Sequence, residues 1–216
     1  MSTPAIPVFP LNTPLLPGCR LPLQIFEKRY LDMVAWCMKH DQGFVVTLLQ
    51  PGSERREVIH PQQEPVTSTP FYNIGTLARI VDFGQRENGL LAITIAGGPR
   101  IELTDIAQQA DGLWTGTAHA LTEFGEAGDT DLESMRELLQ QVLLVHGLQE
   151  ESPAALSTEQ VMNYLIMLLP ISAVDKQSLI ARDDHAQRWQ GLKQAVMEWV
   201  HQQEQAPNSE GSGSAH

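Results

Sequence analysis

The stretch IPVFPLNTPLLPGCRLPLQIFEKRY, Ile6 to Tyr30, sets five prolines among alternating apolar residues. Each proline fixes φ and removes a backbone donor, so a strand built from it is not expected in the middle of a sheet with ladders on both sides. The segment is expected at a sheet edge, or as a bridge between two elements. Its prolines leave carbonyls free and discourage indiscriminate edge pairing, so it can frame an apolar groove beside a sheet.

The chain beyond it is mainly β at first, with one inserted helix. Phe26, Tyr30, Met33, Val34, Cys37 and Met38 recur at spacings of three and four, which predicts an amphipathic helix closed by Gly43. FVVTLL, Phe44 to Leu49, reads as a buried strand, and the Pro- and Gly-punctuated run up to Pro70 reads as a surface loop. GTLARIVDF and LLAITIAG flank GQRENG, whose Asn88-Gly89 pair suits a tight primed turn. That predicts a hairpin with Leu91, Ile93 and Ile95 on one face. Gly97-Gly98-Pro99 is expected to turn the chain before two more strands, RIELTDIAQ and LWTGTAHAL.

Near Glu123 the apolar period changes from two to three and four. EFGEAGD reads as a linker, and TDLE as a capping box with Thr130 as N-cap and Glu133 reaching back. A helix is expected through Leu132, Met135, Leu138, Leu139, Val142 and Leu143. A second should run from Ser157 or Thr158 to Pro170, and a third should open at Ser172. The last carries Trp189, Leu192, Val196, Trp199 and Val200 on one stripe. From Gln202 the chain has little to bury. The whole is an α+β chain: a β-rich part over 1–122, a helical part over 123–203 and a disordered tail over 204–216.

Charge and composition narrow the function. A formal charge of −12 with no cluster of Lys and Arg gives a phosphate backbone few cation contacts, so nucleic acid is not an expected partner. The longest apolar run, YLIMLLPI, is too short to span a bilayer and reads as a buried helix, so no membrane is expected. The N-terminus has no basic region followed by an apolar one, which places the chain in the cytoplasm by expectation. Cys19 and Cys37 lack disulfide or zinc spacing, and no cofactor is expected. The histidines stand in no recognised spacing with Ser or Cys, so no catalytic residue is assigned.

The motifs carry a resemblance. PVFPLNTPLLPGCRLPLQIFEKRYLDM is similar to the signature of the N-terminal, substrate-binding domain of the Lon protease family, which also occurs as free-standing Lon-domain proteins and, more distantly, in cereblon-like proteins. Pro7, Phe9, Pro10, Leu11, Pro17, Gly18, Leu21, Pro22, Leu23, Ile25, Phe26, Glu27, Arg29, Tyr30 and Met33 fall on it. A second block matches through Gly75, Thr76, Ala78, Ile80, Gly97 and Arg100, and a third through Lys176, Gln177, Leu179 and Arg188. Ile101 and Ala181 depart from the family's usual residues. The resemblance implies a PUA-like β pseudo-barrel followed by a helical bundle, and a module that positions protein substrates while other domains hydrolyse ATP and peptide bonds. Those domains are not expected here: no G-x-x-x-x-G-K-[ST] occurs, and little length follows the helices.

The expectation is a non-enzymatic module that binds unfolded or exposed polypeptide segments, with a protease or chaperone as a further partner. Phe9, Leu11, Leu15, Leu16, Leu21, Glu27, Arg29 and Tyr30 are the candidate polypeptide-binding residues. The apolar members equally suit a core, and Glu27 with Arg29 equally suits a structural ion pair. Arg100 reads as an anchor whose guanidinium satisfies several acceptors, and Asp183, Asp184, His185 and Arg188 as a helix start or an acid–base cluster. A small-molecule-binding PUA-like domain and a small hydrolase with an unrecognised site are the alternatives.

Overall fold

The computed structural model describes residues 5–52, 69–86, 89–126, 131–148 and 152–205. The strands are β1 (Ile6–Leu11), β2 (Arg20–Ile25), β3 (Phe44–Leu49), β4 (Phe71–Gln85), β5 (Leu91–Gln108) and β6 (Trp114–Ala120), with helix α1 (Lys28–His40) between β2 and β3. Helices α2 (Leu132–Val145), α3 (Thr158–Leu168), α4 (Ala173–Ile180) and α5 (His185–Gln205) follow. This is the α+β architecture expected, a barrel-like sheet and then helices.

The sheet order is β2-β5-β4-β3-β1-β6, and β6 also pairs with β5, so five strands close on themselves and β2 stays outside as an edge. Val8, Val45, Phe71, Ile101, Leu103 and Trp114, at least one from each closing strand, form a cluster that fills the barrel. The neighbouring residues Phe9, Phe44 and Val46 belong to a larger cluster continuous with the helices. Period-two alternation thus divides β1 and β3 between two cores.

The edge expectation for the prolines holds for β2 and fails for β1. Pro22 lies mid-strand on β2, which pairs only with β5. β1 instead lies between β3, in parallel, and β6, in antiparallel. Pairing to β6 covers Ile6 to Val8 and pairing to β3 covers Val8 to Leu11, so Pro7 and Pro10 each have a ladder on one side only, and a missing donor is tolerated there.

Gly97-Gly98-Pro99 does not turn the chain, because β5 runs unbroken through it. Thr76 faces Arg100 and Ala78 faces Gly97, so Gly98 and Pro99 oppose a single residue of β4 in a bulge that bends the strand without ending it. Gly97 is required here for space. Its backbone exchanges hydrogen bonds with Gly18 N and Cys19 O, both 2.9 Å, and a Cβ would run into the Leu16 carbonyl.

α1 buries Tyr30, Met33, Val34 and Cys37 as its stripe requires, while Phe26 and Met38 are exposed. Asp41 in the left-handed region closes it, ahead of Gly43. α2 starts after Asp131, one residue later than a Thr130 cap implies, so Glu133 falls outside the capping-box position. α3 has the expected N-terminus: Ser157 and Gln160 form a reciprocal capping box, and every residue from Val161 to Leu168 is buried. α5 continues to Gln205, beyond the point where the chain was expected to lose order. Thr130, Asn88, most of the loop before Pro70 and the tail from 206 lie outside the described residues.

Gly97→Ala is expected to cost about 2–3 kcal/mol through overpacking, a fall of roughly 5–10 °C in Tm. Gly84→Ala, at a site with nothing within 4 Å of the added carbon, should leave Tm nearly unchanged. Calorimetry on the pair decides it, and equal melting temperatures would refute the contact as a constraint.

Candidate functional site

Beyond the core they share, the helices are joined to the barrel by polar contacts at two places among the described residues. In the first, the proline-rich segment between β1 and β2 is wedged against α3, and its carbonyls do the work. Asn163 Nδ2 donates to Pro17 O at 3.0 Å, Gln160 Nε2 to Gly18 O at 3.3 Å, and the barrel's Thr76 hydroxyl to Leu15 O at 2.6 Å. The Arg20 amide completes the seam by donating to the Tyr164 hydroxyl at 3.0 Å.

The second is a buried charge cluster around Arg100 of β5, whose side chain is fully buried. Its guanidinium donates to Glu123 after β6, to the Ile180 carbonyl at the end of α4, and to Asp183 Oδ1 at 2.6 Å. Arg188 of α5, also fully buried, reaches Glu123 Oε2 at 3.3 Å and the Arg182 carbonyl. His185 Nε2 lies 2.9 Å from the same Glu123 oxygen. Burial opposes a charged Glu123, but the Arg100 hydrogen bond and the charges of Arg188 and Arg100 outweigh it and hold the carboxyl below its ordinary value. Asp184 caps α5 through the amides of Ala186 and Gln187, at 2.8 and 3.1 Å. The polar turn therefore joins and caps elements.

An apolar groove of about 640 Å³ opens between β2 and the helices. Leu21 and Pro22 of β2 form one wall and Leu138, Val142 and Val145 of α2 another. Met167 and Leu168 of α3, Lys176 of α4 and Trp199 of α5 complete it, with Thr13, Gln141 and His146 as polar lining residues. Among the described residues no Asp or Glu lines it. Val145 is 83% exposed, and with the exposed Leu144 next to it presents apolar surface to solvent beside a concave apolar surface. Lys176 is buried, donates from Nζ to Met167 O at 2.9 Å, and has its amine pushed down to about 8 by burial.

The sequence-selected residues are not gathered in one place. Phe9 and Tyr30 stack in the core at 4.1 Å between centroids, and Leu15 and Leu16 are buried beside them. Leu11 is half-buried against the same core; Leu21, also half-buried, is the one that lines the groove. Arg29 pairs with Glu27 at 2.8 Å and donates to Gly112 O at 2.9 Å, tying α1 to the β5–β6 turn. Residues from α2 and α5 were not singled out, because nothing local marks a helix face as facing a groove. Lys176 did carry a signal: it stands three and four residues before Leu179 and Ile180, on an apolar stripe where a charge is out of place.

Glu123→Gln is expected to destabilise the protein by about 3–5 kcal/mol, since two buried guanidiniums lose their shared anion. The folded carboxyl titrates below its ordinary 4.5, so its contribution is complete above that value and is lost as pH falls through the lower folded one. Urea midpoints of wild type and Glu123→Gln should thus converge as the pH falls below the ordinary 4.5; a gap constant down to the acid end would count against this role.

Comparison with known proteins agrees with this architecture. The chain is similar to the crystal structure of a Lon N-terminal domain protein from Xanthomonas campestris, at 27% identity and a TM-score of 0.62, over 91% of this chain and 98% of that one. It shares its fold with the N-terminal domain of the Mycobacterium avium complex Lon protease, at 15% identity and a TM-score of 0.57, over 90% of this chain and 99% of that one. No curated protein matches it. The family model for the ATP-dependent protease La (LON) substrate-binding domain matches residues 5–193, which takes in the proline-rich seam, the charge cluster and most of the groove, and the chain belongs to that family.

Proposed function

We propose that this chain is a non-catalytic module that holds exposed apolar segments of other polypeptides in the groove between β2 and the helices. One observation carries the reading: an apolar groove of about 640 Å³, with no acid among its described lining residues, opens beside the free edge of β2. The family's substrate-binding character supports it. Polypeptide grooves combine apolar pockets with backbone groups at an accessible edge, and both elements stand side by side here. In this reading Leu21 touches the bound segment. Phe9, Leu11, Leu15, Leu16 and Tyr30 hold the core behind β2, and Glu27 with Arg29 fixes the chain just after it. A protease or chaperone that receives the captured polypeptide is the expected working partner, in the cytoplasm.

A second reading, capture of a small molecule, is favoured by the groove's volume, which lies within the roughly 300–1,000 Å³ of ordinary ligand sites. Peptide length separates the two. A fluorescent apolar peptide of about ten residues should bind saturably with a Kd of tens of micromolar, a range typical of weak grooves. Val145→Asp should weaken it at least about tenfold with an unchanged Tm, since that side chain is mostly in solvent. Phe83→Asp, exposed but outside the groove, should change nothing. No saturable binding up to about 1 mM would overturn the proposal.

A further inference from the structure

Four cationic or potentially cationic side chains are buried among the described residues: Arg100, Lys176, His185 and Arg188. Three of them meet acids, through Glu123 and Asp183. Lys176 does not. Among the described residues its side chain donates one hydrogen bond, to the Met167 carbonyl, and no carboxylate stands within ion-pair distance. An ammonium offers three donors, and securing the last turn of α3 uses one.

A neutral donor would secure that carbonyl without burying a charge, and an unpaired buried ion is destabilising by several kcal/mol. The lysine is therefore better explained by an anion that arrives from outside. The surroundings agree: the chain carries −12 overall, yet no acid is among the described residues that line the groove with Lys176, and His146 is the other basic side chain there. Burial brings the amine to about 8, so it is still charged near neutrality.

The form of the anion follows from β2. Pro22 sits mid-strand on the free edge and lines the groove. It removes the donor that a continuous added strand would need, so a segment running the full length of the edge is poorly served and one that ends there is not. A mainly apolar lining with one buried lysine, and Thr13, Gln141 and His146 as its other polar members, matches apolar side chains followed by one terminal charge.

We propose that the groove binds the C-terminal end of an apolar polypeptide, with the α-carboxylate paired to the Lys176 ammonium. This rests on the polypeptide-binding reading above and names the part of the polypeptide that is read.

The test is calorimetric titration of the full chain with two peptides of one apolar sequence, one ending in the free acid and one in the amide. The acid should bind about ten- to a hundredfold more tightly, the range of a charge-assisted hydrogen bond. Lys176→Met should bring the acid down to the level of the amide while leaving the amide unchanged. The wild-type comparison stands alone if that variant does not fold. Equal affinities would overturn the carboxylate inference and leave the groove reading intact; no binding by either would overturn both. Dodecanoate binding without peptide binding, or self-association through the groove lost in Val145→Asp without peptide binding, would overturn the polypeptide C-terminus as occupant.

Discussion

Arg100 is the constraint around which the two halves of this molecule are arranged. A guanidinium taken fully out of water is tolerable only where its donors are met and its charge is balanced, and β5 alone supplies neither. The acceptors come from the connection after β6, the end of α4 and the loop before α5. Arg188 brings a second buried cation, and Glu123 serves both. Two guanidiniums and the carboxylates of Glu123 and Asp183 form a balanced set that exists only when the helices are docked in one orientation. Such clusters contribute more to orientation than to net stability. Here the consequence is positional, since α4 and α5 cannot shift on the barrel without exposing or unpairing a buried charge.

The proline-rich seam adds a second point of polar attachment, and with the shared core it sets how the helices stand against β2. Carbonyls that a regular strand would use in its ladder are instead given to Asn163, Gln160 and Thr76. The bulge at Gly98 and Pro99 lets β5 turn from β2 toward β6 while bringing Arg100 to the cluster. With α3 held against the seam and α4 against the cluster, α2 and the last turns of α5 flank β2 without closing over it. The groove is the space left between them.

What the sequence made legible follows from the range of each interaction. The stripe of α1, the capping box of α3 and the hairpin strands depend on neighbours within a few residues, and their patterns are complete in the local sequence. The seam is half local: prolines announce free carbonyls but not which donors come to them, and Asn163 lies 146 residues from Pro17. The charge cluster is not local at all, with Asp183 lying 83 residues from Arg100. Two local rules were overridden for the same reason. A Gly-Gly-Pro turn became a bulge because β4 continues alongside it, and β1 entered the barrel because its two ladders are staggered about Val8. The groove draws on residues from Thr13 to Trp199, which only the docked fold brings together.

The same prolines that organise the seam also decide what kind of recognition β2 permits. An ordinary edge strand offers a repeating row of donors and acceptors, which reads backbone and is indifferent to where a bound chain begins or ends. Pro22 interrupts that row at its middle. Recognition must then come from side chains, and those available are mainly aliphatic and aromatic, with Thr13, Gln141 and His146 and one buried ammonium among them. Aliphatic contacts tolerate many sequences, while a single desolvated charge is demanding about what sits opposite it. A surface so composed is permissive about side-chain identity and selective about the position of one negative charge, a combination suited to taking many polypeptides by one common feature.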